Sequence, residues 1–393
     1  MDTLVLLGSF VVLILIGMPV AYALGLASLV GALMAEGGMS RRLVAFASVL
    51  VGFVRGGLSL VNILASTFFG GISGSAVADT ASIGSVLIPE MERKGYPRDF
   101  SAAVTVSGSV QAILIPPSHN MVIYSMAAGG SVSVAALFLA ALLPGLLLGA
   151  MLAAYCLYVA RKRNFPKGDV TPLRQALKIS GEAMWGLMTM AIILGGIMTG
   201  IFTANESASI AVIWAFFVTM FIYRDYKWRD LPKLVHRTVK TVTVVMILIG
   251  FAASFGYVMT VMQIPLKITN IFTSLTSNAY LILFYIKIMM LILGTLMDMA
   301  PLILILTPIL LPVVKTLGVD PVHFGIIIMV NLGIGLLTPP VGSVLFVGSA
   351  VGKIKIEALV EAMYPFFGVL LALLALVTYV PALTLWLPRL MGV

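Results

Sequence analysis

The feature that most constrains this chain is its succession of apolar runs long enough to cross a bilayer. Residues 4 to 34 and 366 to 387 each match the ~20 residues that a helix needs to span a hydrocarbon core of about 30 Å. With 61% hydrophobic and only 10% charged residues, the chain lies outside the range of soluble domains and reads as an all-α polytopic membrane protein. The first run has no positive segment before it and no clean small-residue cleavage site after it, so it is expected to be retained rather than removed as a signal. The net charge of +9 is expected to report orientation in the membrane and no contact with nucleic acid. The single cysteine, Cys156, excludes an internal disulfide and gives no sign of a metal site.

The charges set the topology. Clusters at Arg41 to Arg55, 91–98, 160–178, 223–240 and 352–357 hold 20 of the 24 Lys and Arg residues and are expected on the cytoplasmic side. The gaps at 127–133, 203–207, 262–267 and 317–323 are poor in these residues and are expected to face outward. Residues 57 to 90 then begin and end on the cytoplasmic side, which predicts a re-entrant hairpin. Residues 279 to 316 begin and end on the outer side, which predicts a second hairpin entering from the opposite face. Each is followed by an apolar run broken by prolines, at 107–125 and 331–349.

The two halves correspond in spacing. Asp79 precedes Pro89 by ten residues and Asp298 precedes Pro308 by ten, and double prolines follow at Pro116–Pro117 and Pro339–Pro340. Joined to the opposite orientation of the hairpins, this predicts an inverted repeat with two broken transmembrane helices.

Broken backbone at membrane depth is tolerated only where it is buried in protein or lines a wet cavity. Free carbonyls and hydroxyls there suit a hard cation such as sodium. The expected first cage takes Ser66, Ser73, Gly74 and Ser75 from the hairpin with Gly108, Gln111 and Pro116 from the break. A second takes Gly294, Thr295 and Asp298 with Gly335, Thr338 and Val341. Helix N-termini at the breaks point their positive ends inward, which suits a carboxylate; Ser73, Pro117, Ser118, Asn120, Thr338 and Pro339 are the expected substrate contacts. The competing reading is plain packing: small residues commonly mark close helix contacts and hydroxyls commonly bond back to their own helix. Recurrence of hairpin and break in both halves favours the cages.

The remaining polar residues read more simply. Asp79 and Asp298 are direct ligands, proton carriers or caps of the returning helix, with the structural, capping role preferred. Glu206 is expected at a helix start at the interface. His119 is expected to hydrogen-bond within the fold, and His236 and His323 to lie solvated in loops. Lys287, inside the second hairpin, is expected to snorkel toward the outer surface. Trp228 and Trp386 fit interfacial anchoring.

Four blocks in order, at 70–96, 107–129, 294–313 and 319–342, resemble the large membrane subunit of a tripartite ATP-independent periplasmic (TRAP) transporter, and in wording most nearly its sialic-acid branch. The resemblance spans nearly the whole chain. It implies a sodium-driven elevator in the bacterial inner membrane. A small four-helix membrane subunit and a soluble periplasmic binding protein that delivers an organic acid are its implied partners, with sodium as coupling ion and no further cofactor. The implied division is scaffold helices at 1–56 and 161–278 and transport-domain halves at 57–160 and 279–393. One departure is expected to matter: residues 29–34 run almost directly into "EGGMSRR" at 36–42, where such subunits usually carry about one more membrane helix, so the N-terminal scaffold reads as shortened.

No G-x-x-x-x-G-K-[ST] motif is present, so pumping must draw on an ion gradient or another subunit. Each sodium entering across 100 mV contributes about 2.3 kcal/mol, a reason to expect at least two ion sites. Two rival readings remain: an intramembrane serine protease using Ser73 of "GISG" with His119 as base, and a stand-alone anion symporter that needs no binding protein.

Overall fold

The computed structural model describes Leu29, Leu33 and residues 38–392, without 226, 265, 269 and 271–277. The expectations for the first membrane run and for the shortened N-terminus lie outside the described residues. The described residues are overwhelmingly helical.

Residues 57–90 do not form one continuous rod. Helix α1 (Met39–Val51) leads to α2 (Gly57–Ser73) and α3 (Ala76–Arg93), which pack against each other across a two-residue turn. Gly74 ends α2 with φ 61°, its N–H bonding to Gly70 O at 2.9 Å; this left-handed cap is readily reached by glycine. Ser75 then starts α3 from extended backbone, its Oγ accepting from Ala78 N at 3.4 Å. Each arm is about 25 Å long at 1.5 Å per residue.

The first broken helix follows: α4 (Arg98–Gly108), α5 (Gln111–Leu114) and α6 (His119–Ala127), bent by 50°. Between α4 and α5 the bonding tightens to three residues back, Val110 N to Ser107 O and Ala112 N to Ser109 O. The prolines then end the helix, because Pro lacks an N–H and forces the residue before it toward extended backbone, here Ile115 at ψ 120°. Helix α7 (Val134–Lys162) completes this half, with Ser133 as its cap.

Helices α8 (Leu173–Met198), α9 (Ala204–Phe217) and α10 (Leu231–Val261) connect the halves. Glu206 closes a capping box with Thr203 at the start of α9, as its expected place at a helix start requires. His236 sits exposed on α10 rather than in a loop, since helix begins at Leu231.

The second half repeats the first. Helices α11 (Ala279–Gly294) and α12 (Met299–Thr316) flank a short break, and α13 (Pro321–Gly335) and α14 (Ser343–Gly352) flank the prolines, before α15 (Ile356–Tyr379) and α16 (Ala382–Met391). The same tightening recurs at the second break, Leu337 N to Ile334 O and Thr338 N to Gly335 O, both 3.0 Å. Both Pro–Pro bonds are cis. Among the described residues α7, α8, α12 and α15 are long and apolar enough to cross a membrane, and the bent α4–α6 run would make a fifth span.

Packing between the halves is reciprocal. The returning arm α3 lies on α14 of the second half, and its counterpart α12 lies on α6 of the first. Likewise α4 packs on α15 and α13 on α7. One large buried cluster runs through both halves, including Tyr124, Phe324 and Phe366. A second joins α1, α8 and α9 to the outer face of the first hairpin through Met39, Leu43, Phe69, Ile193 and Ala211.

Candidate ion and substrate sites

The first hairpin is pressed onto the first break at positions where a side chain would not fit. A Cβ on Gly70 would stand 2.6 Å from Ala112 Cα, and one on Gly74 would stand 2.8 Å from Pro117 O. The Pro116 carbonyl faces Gly71, and Gly108 faces the Ser66 hydroxyl. Ser66 thus meets Gly108, and Gly74 meets the carbonyl of Pro117, one residue beyond Pro116, while Ser73 and Ser75 bond locally at the hairpin tip. Gln111 ties α5 to α2 and α7: its Oε1 accepts from Thr67 Oγ1 at 3.3 Å and its Nε2 donates to Gly145 O at 3.3 Å, which leaves one Oε1 lone pair to accept or to ligate. One expected role is corrected. Ser75, not Asp79, is the cap of α3. Asp79 is fully buried beside the Ser66 hydroxyl, and apart from that mutual contact neither side chain meets a hydrogen-bond partner.

At the second hairpin the contact is backbone to backbone. A Cβ on Gly335 would stand 2.7 Å from Gly294 Cα, and Thr295 O accepts from Val341 N at 3.1 Å and from Gly342 N at 3.4 Å. That carbonyl's two lone pairs are thus engaged. The hydroxyls of Thr295 and Thr338 donate to Ile292 O and Ile334 O, each at 2.8 Å, which leaves their lone pairs to accept or to ligate. Asp298 occupies the N-cap position of α12 but makes no capping bond, and it is exposed, as is Val341.

The expected substrate contacts fall on the first hairpin tip and on both breaks: Ser73 at the end of α2, Pro117, Ser118 and Asn120 at the first break, Thr338 and Pro339 at the second. Ser118 Oγ is buried and unpartnered, and Asn120 is buried at the start of α6. His119 lies within electrostatic reach of Asp298, a titratable neighbour from the opposite half that the sequence reading does not supply. Their meeting follows from α12 lying on α6.

Sequence reasoning misses several polar contacts. Asn62 Nδ2 donates to Thr105 Oγ1 at 2.7 Å between α2 and α4, a pairing its spacing alone does not announce. His323 is buried, 3% exposed, not solvated: it follows the Asp320 cap of α13, where Nδ1 meets Thr384 Oγ1 at 2.7 Å and Nε2 meets Thr378 O at 3.3 Å. Lys287 sits on α11 with its ammonium 4.3 Å above the Tyr379 ring, at the end of α15, and Asn331 Nδ2 donates to its carbonyl at 3.0 Å.

Paired hairpins seated on paired helix breaks define a membrane protein of the broken-helix transporter class. The chain belongs to the family described as the tripartite ATP-independent periplasmic transporter, DctM component, whose model matches residues 28–383. The C4-dicarboxylate TRAP transporter large permease protein DctM of Pseudomonas aeruginosa is 42% identical over 362 residues, covering 92% of this chain and 84% of that protein. The sialic acid TRAP transporter large permease protein SiaM of Vibrio cholerae is 36% identical over 362 residues with the same shares covered. These identities do not single out the sialic-acid branch. The crystal structure of the Alcanivorax borkumensis YdaH transporter aligns with a TM-score of 0.61 at 15% identity, covering 96% of this chain and 88% of that chain, a likeness of fold alone. The chain is a transporter component and not an enzyme, so the peptidase reading of Ser73 and His119 falls. Ser73 Oγ faces the Ser75 N–H, 3.5 Å away.

Proposed function

We propose that this chain carries out sodium-coupled uptake of an organic acid across the bacterial inner membrane by an elevator movement. In this reading both hairpins are re-entrant, entering from opposite faces, and the halves at 57–160 and 279–393 slide together against the helices at 1–56 and 161–278. The observation that carries the reading is that each hairpin tip is seated on a helix break, which gathers backbone oxygens and helix N-termini at two contacts, the first of them buried. Sodium occupies the two hairpin–break contacts: Ser66, Ser73, Gly74, Gly108 and Pro116 in one, Gly294, Thr338 and Asp298 in the other. The substrate carboxylate lies between them near Ser73, Ser118, Asn120 and Thr338, at helix starts whose dipoles favour an anion. Sialic acid is the proposed solute. The family's tripartite build supports a small membrane subunit and a periplasmic binding protein as partners.

Proteoliposomes holding this chain and the small subunit test the reading. With the binding protein outside and an inward sodium gradient, labelled sialic acid should accumulate, and removing the gradient or the binding protein should abolish uptake. Accumulation without the soluble protein would support the stand-alone symporter instead. Uptake indifferent to sodium would overturn the coupling, and uptake of a C4-dicarboxylate in place of sialic acid would move the substrate assignment.

A further inference from the structure

Four of the 24 Lys and Arg residues lie outside the five basic clusters: Lys267, Lys287, Lys315 and Arg389. Three of them are exposed, whereas Lys287 on α11 is only 7% exposed. Withdrawing an ammonium from water is costly unless a counter-charge meets it. The ammonium lies over aromatic rings instead, 4.3 Å from the Tyr379 centroid and 5.7 Å from that of Phe284. Such contacts offset part of the loss and leave the charge unbalanced.

Among the described residues no carboxylate pairs with Lys287. The helices packed most closely on α11 are α12 and α13, and neither contains an acid. Asp320, before α13, is engaged as its cap, accepting from Val322 N at 2.7 Å and His323 N at 3.4 Å. Asp298 lies past the opposite end of α11, at the hairpin tip. The acids of α15, Glu357 and Glu361, sit in its first two turns, with Glu361 about 27 Å along the helix from Tyr379 at 1.5 Å per residue.

The side chain is directed toward one membrane surface. Lys287 O accepts from Asn331 Nδ2, while Thr378 O meets the ring of His323, eight residues or about 12 Å nearer the start of α13. By reaching the ring of Tyr379, next to Thr378, the ammonium snorkels toward the level where α11 begins and α15 ends. Tyr280, in the first turn of α11, lies 6.0 Å from the Tyr379 ring, and both tyrosines are exposed, as residues at the headgroup level of a bilayer commonly are. From that level an apolar stripe runs down α11 at helical spacing, Leu281, Phe284, Ile288 and Ile292, each 40–58% exposed. We infer that Lys287 binds the phosphodiester of an anionic phospholipid, with one acyl chain of that lipid lying along the stripe. A lipid of net charge −1 balances the single ammonium through charge-assisted hydrogen bonds, whereas a zwitterionic headgroup brings its own cation. The stripe adds apolar contact that free phosphate has no means to use. A lipid held there tethers the entering arm of the second hairpin to one leaflet, independently of any sodium coupling.

Phosphatidylglycerol carrying a photoactivatable diazirine in one acyl chain, added to the purified full chain in neutral detergent, tests the site, with labelled peptides located by mass spectrometry. Residues 279–292 should be labelled in the wild type. Lys287→Gln should reduce that labelling by at least about fivefold, Lys287→Arg should keep it, and labelling of α8 should be the same in all three. Diacylglycerol with the same diazirine chain lacks the phosphate and should label residues 279–292 as weakly as the phospholipid labels Lys287→Gln. An excess of inorganic phosphate should not compete; displacement by it would make this a free-phosphate site and overturn the lipid assignment. Equal labelling by the two lipids in the wild type, or by the phospholipid in the wild type and a folded Lys287→Gln, overturns the inference, as does a wild-type α11 that takes no label. Circular dichroism and gel filtration check that the variants fold, and the comparison of the two lipids needs no variant.

Discussion

Where α11 and α13 cross, a single methyl group decides the fit. A Cβ on Gly335 would press into the Gly294 backbone at 2.7 Å, and backbone cannot step aside as a flexible side chain can. Gly335→Ala should therefore lower stability by about 1–3 kcal/mol, read as a reduced thermal midpoint in detergent; an unchanged midpoint would show that the two helices part freely. Asn62→Ala removes the donor to Thr105 and the buried carbonyl together, and should cost about 1 kcal/mol in the same assay. At this scale the sequence is partly legible. Glycines and serines flanking the breaks announce themselves because such residues are expensive in lipid unless used. His323 and Gln111 do not, because a buried polar side chain is settled by partners far along the chain, Thr384 for one and Gly145 for the other. Asp79 shows the limit most clearly: its position after a glycine turn fits a cap, and only the geometry of Ser75 shows the cap already supplied.

The helices themselves were mostly readable. The second hairpin is bounded where the charges place it, 279 and 316, because Asn278 caps one arm and the prolines and apolar content leave one place to turn. The 223–240 segment was not: read as a cytoplasmic connection, it becomes helical at Leu231, since its basic residues are compatible with an exposed helical face as well as with a loop. Between elements, Arg98 is the informative tie. Its Nε donates to Gly352 O at 2.6 Å, at the C-terminal end of α14, and its Nη1 pairs with Glu92 at 3.1 Å. A cation there also favours the negative end of the helix dipole. Arg98→Gln should loosen the end of α14 by about 0.5–1.5 kcal/mol, seen as faster hydrogen exchange across residues 349–354 with little change elsewhere; unaltered exchange would make the contact superficial.

Across the whole molecule, the elevator reading requires α2 to move past α8. Gly71 lies against Met190 at that boundary. With Cys156→Ser as background, Gly71→Cys and Met190→Cys bridged by mercuric ion should abolish uptake, and thiol reagent should restore it. Uptake persisting through a verified bridge would place the moving surface elsewhere. Sodium binding at the first site should survive the bridge, since Ser66, Gly108 and Pro116 all belong to the same half. The global arrangement was the least legible from the chain. Spacing of Asp79, Pro89, Asp298 and Pro308 suggests two related halves, yet it is silent on which surface of one meets the other, because contacts between segments two hundred residues apart leave no local pattern.

The seating of α3 on α14 and of α12 on α6 makes the halves mutual lodgers: neither could enclose its own interior if synthesised alone. Fragments cut within the α8–α10 stretch and co-expressed should therefore copurify without any covalent link, and each on its own should be cleared by the cell.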